Sequence, residues 1–340
     1  MTNNLLEFRD VTKQFRIGGL IWGTQLTAVD NVNLSLAKDN PSILSVVGES
    51  GSGKTTLAKI LLKLHEPTSG EVFIDGENIF DAKSKLRGKD YYRYVQPIFQ
   101  NPFEAFSMRK TVDAYLYDTA IKLGIVDSRS QATDVVAESL KQVGLDLNIV
   151  KGKYPNQFSG GELQRISVAR GLIPRPKIIV ADEPVSMIDA SLRMNIVNLF
   201  LELKDKHGVS LIYITHDLST AYYVSDHIAI MYRGNVVEYG PSDEILTDSA
   251  HPYTELLLDS VPTVGKKWKR DLKPPELELA EYQSIACKFA ERCPYVQPIC
   301  REEKPPEVKI GDTRRALCYK PVDFERRQAT IAPDEIAVTN

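Results

Sequence analysis

Gly48-Glu49-Ser50-Gly51-Ser52-Gly53-Lys54-Thr55 is the stretch whose reading decides the fold. It fits the pattern G-x-x-x-x-G-K-[ST]. Glycines let successive backbone N–H groups point into one concavity. The helix that starts at its end adds the positive end of its dipole. Lys54 brings a charge suited to the β and γ phosphates, the Thr55 hydroxyl can ligate Mg²⁺, and Thr56 follows in the same turn. Just upstream, Pro41 precedes the apolar run ILSVV (43–47), and downstream TTLAKILLKL (55–64) reads as an apolar helix. A Gly/Ser-rich surface turn could carry the same letters. The order strand, glycine loop, helix is the one that builds a phosphate site.

Working outward, LLEFRDV (5–11) reads as a strand, and apolar residues at Ala28, Val32, Leu34 and Leu36 largely alternate with polar ones, as in a half-buried strand. Gly70 opens a small hairpin, EVFIDGENIF, with Asp75-Gly76 as its turn. From about 103 to 172 the character changes to a mostly helical insert, with Val135, Val136, Leu140 and Val143 apolar and Gly144 as a helix stop. Strand signals return at KIIVA (177–181), SLIYI (210–214), HIAIMY (227–232) and NVVEYG (235–240). Between the first two, Leu192, Ile196, Leu199 and Leu203 predict one apolar row of a helix that Gly208 ends. Strands alternating with helices predict a parallel sheet covered on both faces. KIIVADE (177–183) ends in two acids: Asp182 sits where a Mg²⁺-associated carboxylate belongs, and Glu183 can orient and polarise an attacking water.

The chain has 340 residues, a length that suggests about two domains. Its 42 Lys and Arg against 45 Asp and Glu leave a formal net charge of −3, which carries no electrostatic footprint for nucleic acid. An apolar fraction of 43% and a charged fraction of 26% suit a folded soluble protein. No apolar run approaches the ~18 residues of a membrane span, and MTNNLLEFRDVTKQF is not a secretory signal, so a cytoplasmic location is expected. Four cysteines, all after residue 286, do not read as a disulfide scaffold; such a cluster in a reducing compartment more often binds metal.

FSGGELQR (158–165) resembles the signature motif of ATP-binding cassette (ABC) ATPases, usually LSGGQ, and further motifs of that family follow in order over about residues 5–262. The resemblance implies an α/β fold. It would have a P-loop NTPase (RecA-like) core, an N-terminal antiparallel β subdomain, a helical signature subdomain over about 103–172, and a small C-terminal tail domain containing the cysteines. It implies that Phe15 stacks on adenine and that Gln100, in IFQNP, touches Mg²⁺ and the attacking water. By the same resemblance, Glu183 activates the water and His216, in ITHD, contacts the γ phosphate. Thr55, Gln100 and Asp182 would surround the Mg²⁺. Ser159, Gly160, Gly161 and Glu162, with Asp189 in SMIDA, would cover the ATP held by a partner cassette. The sequence departs from the pattern at Phe158, at Glu162 and at Met187-Ile188, while Ser159, Gly160 and Gly161 are intact.

HPYTELLLDSVP (251–262) resembles the segment that follows the cassette in oligopeptide and dipeptide importers. Cys287, Cys293, Cys300 and Cys318, with Arg292-Cys293-Pro294, resemble that family's cysteine tail, some members of which carry a [4Fe–4S] cluster. A cluster, a zinc ion or free thiols remain open, since four thiolates suit either metal group. The implied organisation is a cassette over 1–262, a tail domain over 263–323 after a basic, proline-containing linker, and a disordered tail over 324–340. Glu183-Pro-Val-Ser186 resembles the second of two different ATPase subunits, which implies a heterodimer. The pair would dock beneath two membrane-spanning permease subunits at the cytoplasmic face of the membrane and be served by an extracytoplasmic binding protein. The cargo would be peptide, or oligosaccharide as in relatives with this tail. A soluble ABC ATPase acting on DNA or ribosomes fits less well, because this chain has one cassette and no long heptad-rich insertion. A P-loop kinase or GTPase has no job for the signature or His216.

Overall fold

The structure, a computed structural model, describes residues 3–18, 24–260 and 278–320. The linker expected around 266–273 and the disordered tail expected over 324–340 lie outside the described residues.

Two sheets carry the chain. β1 (Asn4–Ile17) and β2 (Thr24–Ala37) pair antiparallel, with Phe15 opposite Leu26. β3 (Ile43–Val47) runs straight into the glycine loop, which opens α1 (Lys54–Leu61). All five β3 residues are buried, as expected of a central strand covered on both faces. α1 stops at Leu61, three residues short of the apolar run, because Lys63 turns left-handed at φ 56°. β4 (Ser69–Ile74) and β5 (Glu77–Asn78) form the expected hairpin, with Asp75 and Gly76 both at positive φ, and complete a four-stranded sheet in the order β2-β1-β4-β5.

α2 (Gly88–Tyr94) leads into β6 (Val95–Ile98), and the helical segment follows as α3 (Val112–Lys122), α4 (Arg129–Gln142), α5 (Leu147–Val150) and α6 (Gly160–Leu172). Leu116, Val136, Leu140, Leu163 and Ile166 are fully buried between these helices and the second sheet. Each such aliphatic side chain contributes about 1.5–3 kcal/mol.

The second sheet is completed by β7 (Ile178–Asp182), then α7 (Ala190–His207), β8 (Ser210–Thr215), α8 (Leu218–Val224), β9 (His227–Tyr232) and β10 (Asn235–Pro241). α7 ends at the left-handed Gly208. Ile196, Leu199 and Leu203 are buried as expected; Leu192 is 38% exposed, because it lies beside Gly161 at the rim of the helical segment and not over the sheet.

β3, β6, β7, β8 and β9 pair in parallel, but β10 returns antiparallel on β9. The purely parallel reading therefore fails at this edge, where Arg233-Gly234, both at positive φ, make a hairpin turn in place of a helix crossover. After α9 (Ser242–Thr247) and α10 (Pro252–Asp259) come the elements of the cysteine region: α11 (Glu278–Gln283), α12 (Ile299–Glu302), β11 (Glu307–Ile310) and β12 (Arg314–Leu317). β12 pairs with β10 through Glu238–Ala316 and Tyr239–Arg315, so the eight-stranded order is β11-β12-β10-β9-β3-β8-β7-β6.

Candidate nucleotide site

The loop between β3 and α1 is shaped by its glycines. A Cβ on Gly48 would stand 2.1 Å from the Met231 carbonyl oxygen, and one on Gly53, at φ 107°, would stand 2.2 Å from that of Ala28. Neither position admits a larger residue without moving a neighbouring strand. Lys54 is buried, and its ammonium donates to the Gly48 carbonyl (2.7 Å), the Glu49 carbonyl (2.7 Å) and Ser52 Oγ (3.2 Å). Burial pushes its pKa below the ordinary lysine value, against Glu183, Asp182 and Glu49, which pull it up. A lysine whose close partners are two neutral carbonyls and a hydroxyl is poised to meet an anion.

Across from the loop, β7 ends at Asp182, whose Oδ1 accepts from the Thr55 hydroxyl at 3.4 Å. Burial raises the Asp182 carboxyl above its ordinary value, and the neighbouring Glu183 adds to the rise. A hydroxyl and a desolvated carboxylate facing one another are hard oxygen donors of the kind Mg²⁺ takes, so this pair fits that ion. Glu183 follows with φ 46°, a left-handed backbone that side chains other than glycine rarely adopt. Its peptide N–H donates to the Ile214 carbonyl (2.8 Å). Its two carboxylate oxygens are held separately: Gln100 Nε2 donates to Oε2 at 3.1 Å, and His216 Nδ1 lies 3.0 Å from Oε1. Three distant segments thus converge on one carboxylate.

The remaining expected residues lie elsewhere. Phe15 stands on β1 with its ring edge-on to His65 at 5.3 Å. Ser159 caps α6, and its hydrogen bonds run to Glu162: the Ser159 N–H (2.9 Å) and hydroxyl (2.8 Å) both donate to Glu162 Oε2, while the Glu162 N–H donates back to Ser159 Oγ (3.3 Å). These bonds, the backbone one first, hold the Glu162 carboxyl below its ordinary value. Gly160 and Gly161 pack against Met187, Ile188 and Leu192, which sets the signature turn beside the exposed Asp189.

The four cysteines line a single cavity with Phe289, Pro252 and Tyr295. None forms a disulfide. Burial pushes the Cys287 and Cys293 thiols up to about 11, with the other cysteines adding to the rise. The donor set suits a soft metal centre in kind. As placed, however, no group of three or more His, Cys, Asp or Glu among the described residues is arranged to hold a metal ion, so the expected four-thiolate centre is not seen as a formed ligand set.

Two contacts went unread in the sequence. Gln164 is fully buried in α6, and its amide donates to the Pro184 carbonyl (2.9 Å) and the Phe99 carbonyl (3.3 Å). It ties the signature helix to the neighbours of both Glu183 and Gln100. Its only signal was a polar residue on the apolar side of FSGGELQR. Arg292 reaches Glu49 in the phosphate loop, a pairing across 243 positions that no local pattern reports.

Fold and site together define an ATP-hydrolysing phosphate-loop protein of the cassette class. Residues 29–186 match the family described as ABC transporter, and residues 237–300 match the oligopeptide/dipeptide transporter C-terminal region. The oligopeptide transport ATP-binding protein AppF of Bacillus subtilis is 34% identical over 322 residues, 93% of this chain and 97% of its own. The di/tripeptide transport ATP-binding protein DppF of Pseudomonas aeruginosa is 34% identical over 94% of this chain and 98% of its own. Among solved structures, the dimeric post-hydrolysis state of the ATP-binding cassette MJ0796 bound to ADP and phosphate is 28% identical. It superposes with a TM-score of 0.60 over 70% of this chain and 98% of that one. The chain belongs to the ABC transporter family, in its oligopeptide/dipeptide branch. No helix among the described residues is long and apolar enough to cross a membrane.

Proposed function

We propose that this chain is the ATP-hydrolysing subunit that energises an importer of peptides. One observation carries the chemistry: Glu183 is held between Gln100 and His216, beside the Asp182–Thr55 pair and the loop lysine. In this reading the amides of Gly48–Thr56 and Lys54 hold the triphosphate, and Phe15 faces the adenine. Thr55 and Asp182, with Gln100 nearby, would hold Mg²⁺, which would supply charge neutralisation to the phosphates. Glu183 takes the proton from the attacking water while Gln100 and His216 fix its two oxygens, and His216 reaches the γ phosphate. Ser159, Gly160, Gly161, Glu162 and Asp189 cover the ATP of a partner cassette; the exposed Ser159 and Asp189, each at the N-terminus of a helix, support this, since that end attracts an anion.

The partner is a second, different ATPase subunit, and the pair docks on two membrane-spanning subunits at the cytoplasmic face, with a binding protein supplying cargo. The relatives are named for oligopeptides and di- or tripeptides, so the oligosaccharide reading is not carried forward. Residues 1–262 form the cassette and 263–323 the tail domain, whose four thiols, gathered around one cavity, are the donors that a [4Fe–4S] cluster or a zinc ion would take. Anaerobic purification with iron, sulfide and zinc analysis decides that point, and protein free of all three removes it. The function itself is tested with the membrane subunits in proteoliposomes. ATP-dependent peptide uptake that vanishes with Glu183→Gln is expected, and ATP hydrolysis without peptide uptake would overturn the transport reading.

A further inference from the structure

The cysteine region does more than pack on the cassette: it grips the phosphate loop. Arg292, immediately before Cys293, meets Glu49 fork to fork, with Nη1 donating to Oε2 at 2.9 Å and Nη2 to Oε1 at 2.8 Å. The guanidinium lies near the Tyr232 and Phe289 rings and donates to the Tyr232 hydroxyl at 3.3 Å, so its fork is held in place from three sides. The Glu49 backbone is fixed as well, its N–H donating to the Tyr253 hydroxyl (2.9 Å) and its carbonyl accepting from Lys54 (2.7 Å).

A second grip runs through the β9–β10 turn. Glu281 accepts from Arg233 Nε at 2.7 Å, with both side chains almost fully buried, and Lys288 donates to the Arg233 carbonyl at 2.8 Å. The next residue, Gly234, donates its N–H to the Ser52 carbonyl in the loop at 2.8 Å. The Tyr282 hydroxyl and the Arg233 guanidinium both border Gly51.

We propose that Arg292 is a positioning residue for nucleotide: it neutralises Glu49 and holds the loop open to a triphosphate, so that the cysteine tail sets the affinity of the cassette for ATP. This rests on the reading of residues 48–55 as the ATP loop. The physical reason is charge. A carboxylate at the second loop position repels a polyanion arriving at the same loop, and the paired guanidinium cancels it. Losing Arg292 alone leaves Glu49 unpaired, whereas losing both removes the repulsion along with the pair.

The test is Mg-ATP binding to the full chain, with thermal melting recorded for each variant. Arg292→Ala should weaken ATP binding about tenfold, and Arg292→Lys, which keeps the charge but loses the fork, by less. The Glu49→Ala/Arg292→Ala double variant should recover most of that loss. A tail that merely needed its arginine to fold would not be rescued by removing a loop carboxylate. Unchanged affinity in Arg292→Ala, or a double variant no better than the single one, overturns the proposal. If Arg292→Ala does not fold, the lysine variant and the double variant decide it by the same comparison. Wild-type chain that binds no ATP would instead sink the reading of the loop itself.

Discussion

At the scale of single residues, Glu183 combines a strained backbone with a shared carboxylate. Its φ of 46° costs roughly 1 kcal/mol in a side-chain-bearing residue and nothing in glycine. Glu183→Gly should therefore melt no lower than Glu183→Gln while both lose hydrolysis by about 10²–10⁴-fold, the range for a general base. A glycine variant that hydrolyses ATP at the wild-type rate would remove the carboxylate from its role. His251 makes a separate prediction. Burial drives its pKa down to about 3, and its ring nitrogen accepts from the Tyr253 N–H as the cap of α10. With the folded value depressed below 6.5, the unfolded chain takes up a proton that the folded chain refuses. The stability contribution is present above pH 6.5 and is lost as pH falls from there towards 3, by up to about 1.4 kcal/mol per pH unit. His251→Asn keeps a capping oxygen and does not titrate. Its denaturation free energy should fall less between pH 7 and pH 5 than that of the wild type, and parallel profiles would show that His251 titrates normally.

At the scale of elements, α6 links the parts of the site. Its N-terminus carries the signature turn, and about one turn in, Gln164 bonds the carbonyls of Phe99 and Pro184. Gln164→Leu preserves shape but leaves both carbonyls unpaired, a cost of about 1–3 kcal/mol. Because those carbonyls flank Gln100 and Glu183, turnover should drop more than ATP affinity does. Equal loss in both, measured by steady-state kinetics and nucleotide titration, would mean that α6 does not position these two residues. The loop between β3 and α1 is equally constrained. Gly53→Ala meets the Ala28 carbonyl and a left-handed φ together, so nucleotide binding and melting temperature should both fall.

At the scale of the whole molecule, the exposed Ser159 and Asp189 belong to a surface completed by another cassette in the proposed function. Glu183→Gln chain mixed with its partner subunit and ATP should sediment as a stable pair that comes apart when ATP is withdrawn. ATP-independent pairing would separate dimer formation from nucleotide. The tail is part of this body too. β12 extends the core sheet beside β10, and Arg314 packs against Gly240 so closely that a Cβ there would stand 2.5 Å from its Cγ.

Much of this was legible in the chain because it rests on short-range rules. Positive-φ glycines, an apolar five-residue strand and a helix start are neighbours in sequence, so GESGSGKT and ILSVV predict their own conformations. The strand ending in Asp182-Glu183, the Asp75-Gly76 turn and the Gly208 stop are legible for the same reason. Tertiary packing alone decided which side chains meet. The carboxylate of Glu183 joins Gln100 and His216 from 83 and 33 positions away, the parallel sheet gains antiparallel strands at one edge, and Arg292 reaches back to Glu49. Such pairings are settled by the global balance of burial and chain entropy, which no local pattern of residues encodes.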